Sequence, residues 1–167
     1  MNILFVHQGF PGQYRHILRA LAAQGTHQLV GMGIGPASES LPQGVTYVQY
    51  GLTRGNTVGL HEWMLDLDSK FIRAEACAQA ASRLRDQGFH PELICAHPGW
   101  GEALFLSDIW PSARLLCYQE FFYHARGIDL DFDPELQGDP SWEDCARLRL
   151  KNANPLLMLD AADWNVT

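Results

Sequence analysis

The sequence predicts an α/β protein built on a doubly wound parallel sheet. Short apolar runs alternate with stretches of helical periodicity along nearly the whole chain. One run, ELICA at 92–96, is continuously apolar, as a strand buried on both faces must be. The first run meets a glycine turn and then a helix, in MNILFVHQGFPGQYRH at 1–16. Together these give a single domain of 167 residues with a Rossmann-like order of elements.

Each element has its own signal. Ile3 to Val6 form the first strand, which ends on His7. A helix follows at about 13–23, with Ile17, Leu18, Leu21 and Ala22 on one face and Gly25 as its stop. HQLVGMGI at 27–34 and VTYVQY at 45–50 read as the second and third strands. Residues 51–60 carry three glycines and read as a loop. A long helix, Ala-rich in its second half, spans about 62–87, and Gly88 and Pro91 end it. After the fourth strand comes a short helix at 99–109, then ARLLCY at 113–118 as the fifth strand. An acidic loop at 124–140 and a helix at about 142–160 lead to a final stretch, 163–167, that starts one more strand.

Composition excludes several functions. The net charge of −7 argues against nucleic-acid binding, which needs clustered Lys and Arg. The four cysteines are irregularly spaced, with no C-x-x-C pair, so no zinc site is expected. Cys95 and Cys117 lie in apolar runs and read as reduced core residues, which suits the cytosol. No run approaches about 18 apolar residues, and the N-terminus has no charged region ahead of its apolar run. Neither a membrane span nor a signal peptide is expected.

In doubly wound sheets ligands bind beyond the carboxyl ends of the strands, where the strand order reverses. Three turns therefore hold the candidate chemistry. The first contains Gly9-x-x-Gly12, whose N–H groups at a helix start form an anion cradle. It lacks the dinucleotide G-x-G-x-x-G and the P-loop lysine, and a tight turn without a ligand would have the same sequence. The second, His97-Pro98-Gly99-Trp100-Gly101-Glu102, sets a histidine at a strand end before a glycine-rich helix start. The third, Gln119 to His124, carries Glu120 and Tyr123 among aromatic residues, a setting for sugar hydroxyls or proton transfer.

Other patterns are weaker. Asp129-x-Asp131-x-Asp133 fails as a calcium loop, because Pro134 occupies the position of the required glycine. It contains Asp-x-Asp but lies in an acidic loop, so no metal is expected there. Gly31-x-Gly33-x-Gly35 falls within and at the end of the second strand and is not a nucleotide turn. Arg15 and Arg19, one helical turn apart, either face an anionic partner such as a membrane surface or form a solvated basic face.

With these turns assembled, the chain resembles the N-terminal half of a family 4 glycosyltransferase. The segments that carry the resemblance are ILFVHQGFPGQYRH at 3–16, ICAHPGWGEALFLSDIWPSARLLCY at 94–118, EFFYHARGIDLDFDPE at 120–135 and RLKNANPLLMLDAADWNVT at 149–167. It implies the GT-B architecture, two Rossmann-like domains across a cleft, and a retaining hexosyltransferase of the kind used in polysaccharide biosynthesis.

Residues 1–167 would then be the acceptor-side domain, and its partner a C-terminal donor-binding domain of the same protein. The resemblance implies that Gly9 and Gly12 meet the donor diphosphate and that His97, the catalytic candidate, contacts the transferred sugar. Glu120, Tyr123, Arg15, Gly99 and Trp100 are positional candidates for acceptor or sugar contacts. No cofactor or metal is expected beyond the nucleotide-sugar substrate. The acceptor would be a glycan or lipid-linked, and the location cytoplasmic with possible peripheral membrane contact. Without the second domain, this chain alone is expected to be inactive. The alternative is a stand-alone nucleotide- or cofactor-binding module, or a partner-assembling one, without catalysis.

Overall fold

The computed structural model describes residues 1–128, 133, 135 and 140–167. Six strands form one sheet: β1 (Asn2–Val6), β2 (Gln28–Ile34), β3 (Val45–Tyr50), β4 (Leu93–Ala96), β5 (Arg114–Tyr118) and β6 (Trp164–Val166). Their order is β3-β2-β1-β4-β5-β6, and every neighbouring pair is parallel. This is the doubly wound Rossmann order, and it reverses between β1 and β4. The helices are α1 (Arg15–Gln24), α2 (Leu65–Asp86), α3 (Leu106–Ile109), α4 (Trp142–Lys151) and α5 (Ala153–Ala161). None of the described helices is long and apolar enough to cross a membrane.

The alternation of side chains along each strand explains the two cores. Ile3 and Phe5 of β1 join Leu29, Cys95 and Leu18 of α1 on one face. Leu4 and Val6 point to the other face, where Val30, Met32, Ile94 and Leu115 meet Ala76, Cys77, Ala80, Ala81 and Leu84 of α2. The small residues of α2 bring its backbone close to the sheet. Cys77, Cys95 and Cys117 are free and buried, and burial pushes Cys95 up to about 11 and Cys117 up to about 12, so both stay protonated thiols.

Four helical expectations need correction, and one is the helix at 62–87, which begins with a 3₁₀ turn at Glu62–Met64 before α2. The first helix begins with a 3₁₀ turn at Gly12–Tyr14 before α1. The segment 99–109 is helical only at its ends, as a 3₁₀ turn at Pro98–Trp100 and as α3, because Gly101 takes a left-handed φ of 107° that ends the first turn. The helix at 142–160 is two helices meeting at Asn152. Pro155 has no N–H for the Lys151 carbonyl four residues back, so the backbone ladder fails there. Of the acidic triplet, Asp129 and Asp131 lie outside the described residues.

The glycines of β2 act through packing. A Cβ on Gly31 would overlap the Phe10 ring, and one on Gly33 would sit 2.8 Å from the His7 carbonyl oxygen. Phe10 is fully buried and stacks on Tyr47 at 5.3 Å, so it cannot swing away. The β1–α1 turn thus lies directly on the backbone of β2. Gly31→Ala should destabilise the protein by about 1–3 kcal/mol. The same change on a Phe10→Leu background should cost less, as read by urea denaturation of the four proteins of the cycle; equal costs would show that the ring is not the obstacle.

Candidate functional site

The register between β1 and β4 pairs Val6 with Ala96. The residues that follow them, His7 and His97, therefore leave the sheet side by side at its point of reversal. Each uses its ring in the same way. His7 Nδ1 accepts the Gly9 N–H at 3.1 Å, and His97 Nδ1 accepts the Gly99 N–H at 3.1 Å. With Nδ1 an acceptor, each neutral ring carries its proton on Nε2. The rings meet edge to face at 5.8 Å.

From the neighbouring strand end comes Glu120, two residues past β5. The His97 Nε2–H donates to Glu120 Oε2 at 3.0 Å, and Gln13 Nε2 donates to the same oxygen at 3.2 Å. Both described bonds fall on Oε2, which leaves Oε1 open on a side chain that is one-third exposed. His97 itself is buried, with Trp100 stacked over it at 6.3 Å. Burial lowers the His97 titration, against the opposing pull of Glu120. Burial, and then the neighbouring His97, lowers that of His7.

These groups open into a cleft of about 210 Å³. It gathers five of the sequence candidates: His97, Gly99, Trp100, Glu120 and Tyr123. Gly12 and Arg15 lie instead on a shallower groove with His7, Gln13 and His16. Arg15 is already paired with Glu39 at 3.0 Å, and Arg19 reaches the same carboxylate at 3.3 Å. The two arginines therefore brace α1 against the β2–β3 loop. Gly9 has open space where a Cβ would point, but its N–H is taken by His7. Gly12 has a reason of its own to be glycine: its φ is 50°, and a Cβ there would run into the His7 ring. The turn remains uncapped by any side chain, so its helix start stays open to an anion.

Sequence reading did not single out several residues of the site. His7 occupies the same position after β1 that His97 occupies after β4, and this equivalence was the available signal. Lys70 of α2 and Lys151 of α4 line the cleft, as do Asp66 and Pro155. Asn152 is buried at the α4–α5 junction. Its side chain clamps the Tyr123 backbone at both N–H and carbonyl, each at 2.8 Å. The Asn-x-Asn-Pro interruption at 152–155 is the mark it leaves in the sequence.

The charge network makes two measurable statements. Glu120→Gln should lower the His97 titration further, since the carboxylate is what opposes burial. A ring-nitrogen NMR titration reads this directly, and an unchanged or higher value would place the carboxylate elsewhere. The second concerns stability. Both histidines have folded values below the ordinary 6.5, so the unfolded chain takes up protons first as pH falls. Their contribution is complete above 6.5 and is lost as pH drops through the lowered folded values. Over pH 7 to 5, about the window of these shifts, unfolding free energy should fall less steeply in a His7→Gln/His97→Gln protein than in the parent. Identical slopes would refute it.

Comparison with known proteins completes the description of the site. No curated protein matches the chain. Two solved structures align with it at low similarity. TcCGT1 in complex with UDP aligns with a TM-score of 0.47 and 10% identity, over 70% of this chain and 28% of that one. LpCGTa in complex with UDP aligns with a TM-score of 0.43 and 10% identity, over 95% of this chain and 49% of that one. This chain thus spans less than half the length of either, and at such distance neither informs individual residues. The family match is of another kind, because it is continuous from 25 to the last residue, through the strands and turns that build the cleft. Over residues 25–167 the sequence matches the glycosyl transferase family 4 group, and the chain belongs to that family.

Proposed function

We propose that this chain is the acceptor-side domain of a retaining glycosyltransferase that moves a sugar from a nucleotide-sugar to a glycan or lipid-linked acceptor. The observation that carries the reading is the His97–Glu120 pair. It sits at the carboxyl ends of β4 and β5, beside the crossover from β1, in a chain of this family. A second Rossmann-like domain of the same protein would hold the nucleotide and face this edge. The location that fits is cytoplasmic, with a peripheral membrane contact where the acceptor is lipid-linked.

Transfer breaks the bond from the sugar C1 to the diphosphate and forms one from C1 to an acceptor oxygen, whose proton passes to the departing diphosphate. The residues divide this work. The diphosphate lies against the Gly9–Gly12 turn, whose helix-start dipole favours negative charge. Both His97 nitrogens are engaged by the protein, so His97 acts by orienting Glu120 and by contact with the transferred sugar. Glu120 Oε1 is the open acceptor for a sugar or acceptor hydroxyl. Trp100, half-exposed over His97, offers a flat apolar face to a pyranose ring. No metal is required for this division of labour.

In the full-length enzyme, His97→Ala should reduce turnover by about 10²–10⁴-fold while the domain stays folded. Radiolabelled sugar transfer and a melting curve measure the two together; full activity at native stability would remove His97 from the site. The 167-residue chain by itself should transfer no sugar. Turnover by the isolated chain would contradict the two-domain reading.

A further inference from the structure

We propose that the cleft selects a saccharide bearing an acidic group, a carboxylate or a phosphate, and that Lys70 and Lys151 receive it. The inference deepens the acceptor-side reading and rests on it for the word acceptor, though the binding claim stands on the cleft alone.

Lys70 is an unusual residue for its place. Its side chain is only 7% exposed, yet it lines the cleft. Burying an ammonium is costly unless its hydrogens are satisfied. Here Nζ donates to the Lys151 carbonyl at 3.0 Å and forms an ion pair with Asp66 Oδ2 at 2.9 Å. That carbonyl is free to accept because Pro155 cannot supply the helix N–H it would otherwise take. An ammonium has three hydrogens, so beyond that one hydrogen bond and the ion pair with Asp66 the group keeps donor capacity for a ligand in the cleft.

The second ammonium is that of Lys151. It lies 5.4 Å from the centre of the Tyr123 ring, and no carboxylate pairs with it among the described residues. The Asn152 clamp holds the Tyr123 backbone, and the Phe121 ring stacks on the Tyr123 ring at 5.9 Å. This side of the cleft therefore holds two ammonium groups against one carboxylate, and that carboxylate, Asp66, is about half-exposed at 46%. The other side holds Glu120 with its open oxygen.

A ligand matching both sides has hydroxyls for Glu120, a ring face for Trp100, Phe121 and Tyr123, and an anion for the lysines. A neutral sugar would leave the lysine side unmatched. A free anion without a ring would forgo the aromatic contacts.

The test is an NMR titration of the protein with three probes, D-glucose, D-glucuronate and D-glucose 6-phosphate, read at the Trp100 indole and the Tyr123 amide. The two acids should bind about tenfold more tightly than glucose, as one charge-assisted hydrogen bond allows. Preference for glucuronate assigns the source as a sugar acid, and preference for the phosphate assigns a phosphosugar. Lys151→Gln, at an exposed position, should remove most of that preference without affecting the fold, and Lys70→Met should do the same if it folds. Equal binding of glucose and both acids overturns the proposal. So does a preference that persists in Lys151→Gln, or one read only at His7 and Gly12 in the neighbouring groove. Failure of the transferase reading would look different: no sugar transfer by the full-length enzyme to any acceptor, while the acid preference in the cleft remained.

Discussion

Much of the functional edge depends on two hydrogen bonds from backbone amides to imidazole rings. The β1–β4 register brings His7 and His97 out of the sheet together, and each ring turns back to take the N–H two residues on. That single motif has three consequences. It fixes the tautomer, so the Nε2 hydrogens point outward and one of them finds Glu120. It closes both turns tightly enough that Gly12 and Gly99 must be glycine, since a Cβ on either would strike an imidazole. It also consumes the Gly9 and Gly99 amides, leaving the later N–H groups of the first turn as the ones an anion can meet.

The loop bearing His97 is held from behind with equal firmness by α2. Gly101 lies so close to the Lys70 backbone that a side chain would not fit. The Arg73 Nε–H donates to the Trp100 carbonyl at 2.6 Å. Glu102 is buried with the Tyr50 hydroxyl donating to it at 3.3 Å. Burial raises its carboxyl toward the neutral form, and Arg73 opposes that. The segment 97–102 is therefore a fixed wall of the cleft and not a mobile lid, which is what a group meant to orient a hydroxyl requires.

The sheet was legible in the sequence because apolar alternation and glycine punctuation depend on local residues alone. The strands fall where ILFV, VTYVQY, ELICA and ARLLCY place them. The strand-end turns followed from the same reading, and with them five residues that share one cleft. What escaped depends on contacts far apart in sequence. Lys70 meets the Lys151 carbonyl across 81 positions, and Asn152 meets Tyr123 across 29. No spacing rule encodes either. Arg15 is a further case: the sequence offered an anionic partner or a solvated face, and its pairing with Glu39 from the β2–β3 loop comes from a contact no local rule encodes. The helix read as continuous to 160 broke because Pro155 and Asn152 act through the partners they lose and gain.

The placement of charge bears most directly on the two-domain reading. Burial leans the two histidines and Glu102 toward their neutral forms, and it holds Cys77 and Tyr50 protonated as well. Burial thus limits the full charges at this edge, and in a poorly screened cleft each that remains counts for more. The cations are spent in identifiable ways: Arg15 and Arg19 on Glu39, Arg73 on the Trp100 carbonyl, Lys70 and Lys151 on the cleft. A departing diphosphate needs positive charge where its oxygens develop charge. At the Gly9–Gly12 turn this chain offers backbone dipoles, and its nearest arginine, Arg15, is paired with Glu39, a carboxylate it shares with Arg19. Under the proposed reading, the cationic grip on the donor falls to another domain, while the cleft of this one receives and orients the acceptor.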